Sequence, residues 1–213
     1  IFLLLIAGDL IFIMTTENLH FDVSSGLKSV LGSELITDDE VAIFELVKNS
    51  FDANATYVDL YFEDNKIIVL DNGDGMSLND IKSRWLFVAY SSKRDSLKSD
   101  DFRHEVASRG HYAGSKGIGR FSSDRLGQKV ILQSKSKTEK SRIIHRVEVD
   151  WSLFDKNYKN LFENINVEYS ELQGKFDLPN TLKQPSHGVA ITIENLRRVW
   201  DRTSLLRLRS SLA

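Results

Sequence analysis

A predicted helix over residues 38–53 places three polar side chains on one face of an otherwise apolar segment. Its apolar residues are Val41, Ala42, Ile43, Phe44, Leu46, Val47 and Phe51. A helix that is apolar nearly all round is normally buried. Glu45, Asn49 and Asp52 nevertheless stand at i, i+4 and i+7, so they share one face. Burying such groups without partners costs on the order of several kcal/mol, so the pattern predicts a site lined by polar ligands.

The two ends of this helix are also marked in the sequence. Residues 37–40 read Thr-Asp-Asp-Glu, which is typical of a capping box with Thr37 as the cap and Glu40 at the third helical position. A stretch of strand composition begins at Thr56. The helix is therefore expected to end near Ala53.

A predicted hairpin leads from this helix into a glycine loop. Residues 56–62 and 66–70 have strand composition, and Asp64-Asn65 between them is a turn signal. The second strand runs directly into residues 71–76, in which two glycines alternate with polar residues. Such a loop lets the backbone approach a ligand closely.

A second glycine-rich stretch, residues 114–119, follows a long polar segment at 90–111. A segment of that length without periodicity is typical of a lid or of a disordered loop. The glycines open into a predicted helix at 121–126, and a glycine loop at a helix N-terminus is suited to bind an anion. Taken alone, the same stretch is equally typical of a flexible loop, and it matches neither the P-loop nor the dinucleotide motif.

The remainder of the chain has an α/β pattern. The expected elements are strands at 129–133, 143–149, 165–169 and 187–193, a loop or insert at 172–185, and a helix at 197–212.

Composition excludes several classes of protein. Of 213 residues, 41% are hydrophobic and 27% are charged, which is ordinary for a globular domain. The formal net charge of -2 gives no nucleic-acid footprint. The absence of cysteine excludes disulfides, thiolate metal sites and cysteine nucleophiles, and it fits a reducing, cytoplasmic compartment.

The first thirteen residues are apolar apart from Asp9. This run is shorter than the ~20 residues that a membrane span needs, and it lacks the features of a signal peptide. A leader that precedes a start at Met14, an edge strand and a truncated anchor all remain open, and the leader is favoured. Residues 1–14 are therefore set apart from the domain.

The order of these stretches resembles that of the GHKL ATPases, which include gyrase-type topoisomerases, ninety-kilodalton heat-shock chaperones, histidine kinases and MutL-type proteins. The matching features are the Glu-x-x-x-Asn-x-x-Asp-Ala helix at 45–53, the Asp-x-Gly-x-Gly loop at 71–75, a lid, a glycine-rich helix start and a final Gly-strand. The Asp-Ala-Asn-Ala-Thr run at 52–56 is closest to MutL and microrchidia proteins.

The resemblance implies a fold and a domain plan. The fold is an α/β, or α+β, two-layer sandwich, in which a mixed, mainly antiparallel sheet is covered on one face by helices. The ATP-binding domain would span residues 15–195 with its lid at about 90–118, and residues 196–213 would begin a linker or a further domain. A lysine from a following domain would complete the phosphate site, so slow turnover is expected of this chain.

The resemblance also implies site residues for ATP and Mg²⁺. Glu45 matches the general base that activates water, and Asn49 matches the Mg²⁺ ligand, which agrees with the hard oxygen ligands that this ion prefers. Asp52 and Ala53 would support the site. Asp71 matches the aspartate that binds the adenine amine. The remaining positions, which leave room for the base or wrap the phosphates, are Gly73, Gly75, Met76, Gly114, Ser115, Lys116, Gly117, Ile118 and Gly119.

The chain departs from the family pattern on its last strand. There the glycine is usually followed by threonine near the adenine, whereas Val189 stands at that position here. Thr192 is three residues further on and would face the other side of the strand, so it does not replace the missing hydroxyl.

Other functions remain open beside ATP hydrolysis. A histidine-kinase domain is disfavoured because the one upstream histidine, His20, lies outside a helical context. A nucleotide-gated binding module with little turnover is the third reading. A calcium loop at 71–75 is disfavoured because the twelfth position is Lys82 rather than glutamate. Besides ATP and ADP, the expected partner is a second copy of the full-length protein; a client protein or DNA stays open, and no membrane partner is expected.

Overall fold

The computed structural model describes residues 2–6, 9–13, 24–25, 27, 38–86, 121–155, 165 and 167–212. The predicted lid and the glycine stretch at 114–119 lie outside these residues. The elements are β1 (Phe2–Ile6), β2 (Asp9–Ile13), α1 (Asp39–Asp52), β3 (Val58–Glu63), β4 (Lys66–Asp71), α2 (Leu78–Asp80), a π-helical turn (Ile81–Trp85), α3 (Ser122–Leu126), β5 (Gly127–Lys135), β6 (Ile143–Asp150), α4 (Ser152–Asp155), β7 (Glu168–Gln173), β8 (Gly188–Leu196) and α5 (Arg202–Leu212). Among the described helices, none has the length and apolar character that crossing a bilayer requires.

A six-stranded sheet in the order β3-β4-β8-β5-β6-β7 forms one layer of the domain, and its described pairings are antiparallel. Alternate residues of its strands face a core that α1, α3 and α5 also enter, for example through Ile43, Leu126 and Leu208. The predicted two-layer α/β sandwich is confirmed. Among the described strands, β1 and β2 pair with each other as an antiparallel hairpin outside the six-stranded sheet.

Helix α1 differs from its prediction in two respects. Its N-terminal cap is Asp38 rather than Thr37, because the Asp38 carboxylate accepts the Glu40 N–H at 2.6 Å. The helix is also not buried all round: Val41, Phe44 and Phe51 are 48%, 49% and 69% exposed. A helix lying on a sheet has one side to bury, and here that side carries the four buried residues Ala42, Ile43, Leu46 and Ser50.

Two other elements begin later than predicted. β7 starts at Glu168 rather than at residue 165, because Ile165 and Val167 pack against the core before the strand begins. α5 starts at Arg202 rather than at residue 197. The residues before it pack instead of forming helix: the Arg198 guanidinium stacks on the Trp200 ring, 4.3 Å from the ring centre.

The second face of the sheet is covered by the insert between β7 and β8. Phe176 packs there in a small apolar cluster. The Gln184 amide accepts the Phe176 N–H and donates to the Phe176 carbonyl, both at 3.0 Å, and Gln133 holds the backbone of Asp177 in the same way at 2.7 and 3.0 Å. The Gln133 amide therefore attaches this insert to β5 as a further strand would, whereas the Gln184 amide joins two parts of the insert itself.

An acidic residue at the first turn of α1 joins three parts of the fold. The Asp39 carboxylate lies 2.7 Å from Nε of Arg125 in α3 and 2.7 Å from Nε of Arg198, which follows β8. Beside it, Arg197 bonds the buried Asp124 at 2.7 Å. The start of α1, the short helix α3 and the connection to α5 are thus held together by ion pairs.

We expect Asp39→Asn to lower the free energy of unfolding by about 1–2 kcal/mol, because it removes the charge from two partly exposed ion pairs, of which the one with Arg125 is also hydrogen-bonded. Urea titration followed by tryptophan fluorescence measures the change. Glu168→Gln, on the exposed edge strand, is the matched control and should shift the value by less than about 0.5 kcal/mol. Equal effects of the two substitutions would show that Asp39 does not join these elements.

Candidate functional site

The polar face of α1 is open. Glu45, Asn49 and Asp52 follow one another along the same side of the helix, as predicted. Glu45 is partly buried and its Oε1 lies 3.2 Å from Nζ of Lys48, while Asn49 is exposed and Asp52 is half-buried. The apolar composition of α1 predicts a helix buried on all sides, but the side that carries these three residues is not buried. Within the described part of the chain, the three side chains form a partly exposed polar surface.

The carboxylate of Asp71 lies at the end of β4 beside α1, and it is 4% exposed. Its Oδ1 accepts the N–H of Gly73 at 2.8 Å and the N–H of Val189 at 3.2 Å. Its Oδ2 accepts the hydroxyl of Ser50 at 2.8 Å. A carboxylate has about four acceptor positions. One position on Oδ2 therefore remains for a further donor.

Burial raises the pKa of Asp71 above its ordinary value of 3.8, although the hydrogen bonds from Gly73, Ser50 and Val189 and the nearby His187 act in the opposite direction. The three donors thus offset only part of the desolvation of the carboxylate. An additional donor that approached Oδ2 would favour the ionised form.

The loop after Asp71 passes close to two other elements. A Cβ on Gly73 would lie 2.7 Å from the Ala53 carbonyl oxygen at the end of α1. Gly75 has a φ of +64°, and a Cβ there would lie 2.0 Å from the Lys135 carbonyl oxygen of β5. These contacts account for the spacing of the two glycines, because any side chain would push the loop away from α1 or β5.

Met76 is held at the end of this loop by a buried hydroxyl. Ser134 of β5 accepts the Met76 N–H at 2.7 Å and donates to the Met76 carbonyl at 3.1 Å. Neither Ser134 nor Ser50 was among the predicted site residues. A signal for each is present in the sequence, since both are polar residues at positions where the pattern of their element points to the core.

The backbone of β8 supplies what the Val189 side chain does not. The Val189 N–H donates to the Asp71 carboxylate. The preceding Gly188 has a φ of +125°, and a Cβ there would clash with the Asp71 carbonyl oxygen. Thr192 pairs with Ile68, which belongs to the cluster on the other face of the sheet. The expectation that Thr192 faces away from the site is confirmed.

The structure therefore brings six of the predicted residues into one region: Ala53 after α1, then Asp71, Gly73, Gly75 and Met76 in the loop, and Val189 at the start of β8. The six residues assigned to the phosphates, 114–119, lie outside the described part of the chain.

Comparisons with known proteins identify the family of the chain. A putative type II restriction enzyme, HgiDII from Herpetosiphon aurantiacus, is 35% identical over 75 residues, which are 35% of this chain and 11% of that protein. The DNA mismatch repair protein MutL from Listeria monocytogenes is 29% identical over 85 residues, which are 38% of this chain and 14% of that protein. The similarity thus spans a small part of each relative's length. The model of the family described as histidine kinase-, DNA gyrase B-, and HSP90-like ATPase matches residues 36–188, most of the chain. The chain belongs to this family, the GHKL-type ATPases, and it is similar to MutL.

Proposed function

We propose that this chain is a Mg²⁺-dependent module that binds ATP and hydrolyses it with water as the phosphoryl acceptor. Closure of its lid would drive dimerisation of a larger protein. The observation that carries the proposal is the buried Asp71 carboxylate, which keeps one acceptor position on Oδ2 beside the last turn of α1. Family membership supports the same assignment.

Asp71 is the proposed reader of the base. The exocyclic amine of adenine would donate to Oδ2, while the six-position oxygen of guanine is an acceptor and would be repelled by the carboxylate. The close contacts of Gly73 and Gly75 with neighbouring backbone keep the loop tight, and Met76 would pack against the base.

Asn49 is the proposed protein ligand of Mg²⁺. Within the described residues no cluster of three or more histidine or carboxylate side chains is suited to hold a metal ion. An ion bound here would therefore take most of its oxygen ligands from phosphates and water, as Mg²⁺ commonly does, with the exposed Asn49 amide oxygen as one protein ligand. Such an ion supplies charge neutralisation for the phosphates.

Glu45 is the proposed general base, one helical turn before Asn49. Its carboxylate would take a proton from the water whose oxygen bonds to the γ-phosphorus, as the bond from that phosphorus to the ADP oxygen breaks. The ion pair with Lys48 holds the carboxylate on the open face of α1. Asp52, one turn further on, would support this face. The stretch from Gly114 to Gly119 would bind the phosphates.

Two alternative functions differ from the proposed reaction: phosphoryl transfer to histidine, and ATP binding without turnover. Transfer of the phosphoryl group to histidine is less favoured, because the relatives identified are a DNA mismatch repair protein and a putative restriction enzyme. Their names favour DNA over a protein client for the larger assembly. A module that binds ATP without turnover would share Asp71 but would not need Glu45.

We expect Glu45→Gln to reduce ATP turnover at least about 100-fold, because an amide cannot accept the proton from water. ATP affinity, measured by titration calorimetry, should change less than about threefold. Lys48→Met is the matched control: it breaks the same ion pair but keeps the carboxylate, so it should retain most of the turnover.

Two outcomes would contradict the assignment of Glu45. Turnover of Glu45→Gln at the parental rate would exclude Glu45 as the base. An equal loss in Lys48→Met would show that the ion pair, rather than the base, is required. Wild-type protein that binds ATP without any turnover would favour the gated binding module.

We expect Asp71→Asn to weaken ATP binding about 10- to 100-fold, because the amide nitrogen presents a donor to the adenine amine and a charge-assisted hydrogen bond is lost. Unfolding stability at neutral pH should not fall. The Asn oxygen can still accept from Gly73 and Val189, and the Ser50 hydroxyl has the Leu46 carbonyl at 3.4 Å as an alternative acceptor.

The pH dependence of this variant gives a second test. The raised pKa of Asp71 means that the folded wild type binds the proton more tightly than the unfolded chain does. Between 3.8 and the raised value, wild-type stability therefore falls as pH rises, relative to Asp71→Asn. Urea unfolding of both proteins across that range measures the difference. Asp64→Asn, at the exposed hairpin turn, is the control. A wild-type free energy of unfolding that stays constant or rises with pH, relative to that of Asp71→Asn, would contradict the prediction.

A further inference from the structure

His187 lies immediately before β8 and contacts the loop that follows Asp71. Its Nδ1 is 2.6 Å from the carbonyl oxygen of Gly73. A carbonyl oxygen only accepts hydrogen bonds, so Nδ1 carries the proton and donates. The contact joins residues 114 positions apart in the chain, and it assigns a partner to a histidine that no sequence motif singled out.

The peptide group that His187 contacts is held on its other side by α1. Its oxygen belongs to Gly73 and its N–H belongs to Asp74, and this N–H donates to the Ala53 carbonyl at 2.7 Å. Rotation of this peptide group would break both bonds. The preceding N–H, that of Gly73, donates to Oδ1 of Asp71. The Cα of Gly73 joins this peptide to the one before it, so holding the Gly73–Asp74 peptide restrains the direction from which the Gly73 N–H approaches the carboxylate.

The backbone beside His187 leaves little freedom for the imidazole to move away. Gly188 follows it with a φ of +125°, and a Cβ at Gly188 would lie 2.2 Å from the Asp71 carbonyl oxygen. On the other side, His187 follows the insert, within which the Gln184 amide holds the backbone of Phe176. The loop after Asp71 is therefore held between His187, just before β8, and Ala53, just after α1.

We propose that His187 is a positioning residue for adenine recognition, which orients the Gly73–Asp74 peptide and thereby keeps Oδ2 of Asp71 available to the base. The inference rests on the proposed function of Asp71. The imidazole itself does not touch the nucleotide. The main consequence is for ATP affinity rather than for the chemical step, because Glu45 lies on a different element.

Three substitutions at this position test the donor. The side-chain nitrogen of Asn lies as many bonds from Cα as Nδ1 does, whereas that of Gln reaches towards Nε2. We expect His187→Ala and His187→Gln to raise the Kd for ATP about 3- to 10-fold, as the loss of one hydrogen bond implies. His187→Asn should stay within about twofold of wild type. The turnover rate at saturating ATP should be unchanged in all three.

Lys183→Ala, an exposed substitution in the same insert, is the matched control and should leave the Kd unchanged. Thermal unfolding checks that each variant is folded. If His187→Ala does not fold, the comparison of Asn with Gln decides the test. Wild-type affinity in Ala or Gln, or an equal loss in Gln and Asn, overturns the positioning role.

Hydrogen exchange without nucleotide separates this inference from the proposed function. The Asp74 N–H should exchange about 3- to 10-fold faster in His187→Ala and His187→Gln than in wild type, but not in His187→Asn. A wild-type protein that binds no ATP would overturn the proposed function and the adenine role. The exchange rates would still show whether His187 holds the loop, and unchanged rates would overturn that part.

Discussion

The buried carboxylate of Asp71 is the interaction on which the rest of the site depends. Its three donors come from three different elements: Ser50 from α1, Gly73 from the loop and Val189 from β8. One anion at the end of β4 thus fixes the distance between the helix layer and the sheet. Removing water from a carboxylate costs free energy that hydrogen bonds only partly restore. Burial therefore leaves the pKa of Asp71 above its ordinary value, even with three donors in place.

The two-layer architecture explains why this carboxylate meets the buried side of α1 while the polar side of the same helix stays exposed. A helix packed on one sheet buries a single side, so the side opposite to Ile43 remains open to a ligand. Asp39 fastens the first turn through Arg125 and Arg198, and Ser50 fastens the last turn through Asp71. Because both ends are held, Glu45 and Asn49 between them lie on a restrained element, as the proposed phosphoryl transfer would require.

Sequence was sufficient where the chemistry is local. The spacing of Glu45, Asn49 and Asp52 predicts one helix face, and the hairpin with its turn at Asp64-Asn65 was located correctly. Sequence was insufficient where partners meet through the sheet. Ser50 lies 21 residues from Asp71, and Ser134 lies 58 residues from Met76. The first contact depends on how α1 packs on β4 and the second on the strand order, in which β8 lies between β4 and β5, and no local pattern specifies either.

Val189 departs from the family pattern in its side chain, but its place on β8 still gives Asp71 a hydrogen-bond donor. A threonine hydroxyl was expected at this position, and its loss suggested a weaker adenine side. The contact that β8 makes with Asp71 is through the backbone N–H of Val189, which any residue except proline provides. A hydroxyl reaches the same carboxylate from Ser50, on the opposite oxygen. The side chain at 189 is then free to serve the core, where valine packs better than threonine because it carries no polar group that needs a partner.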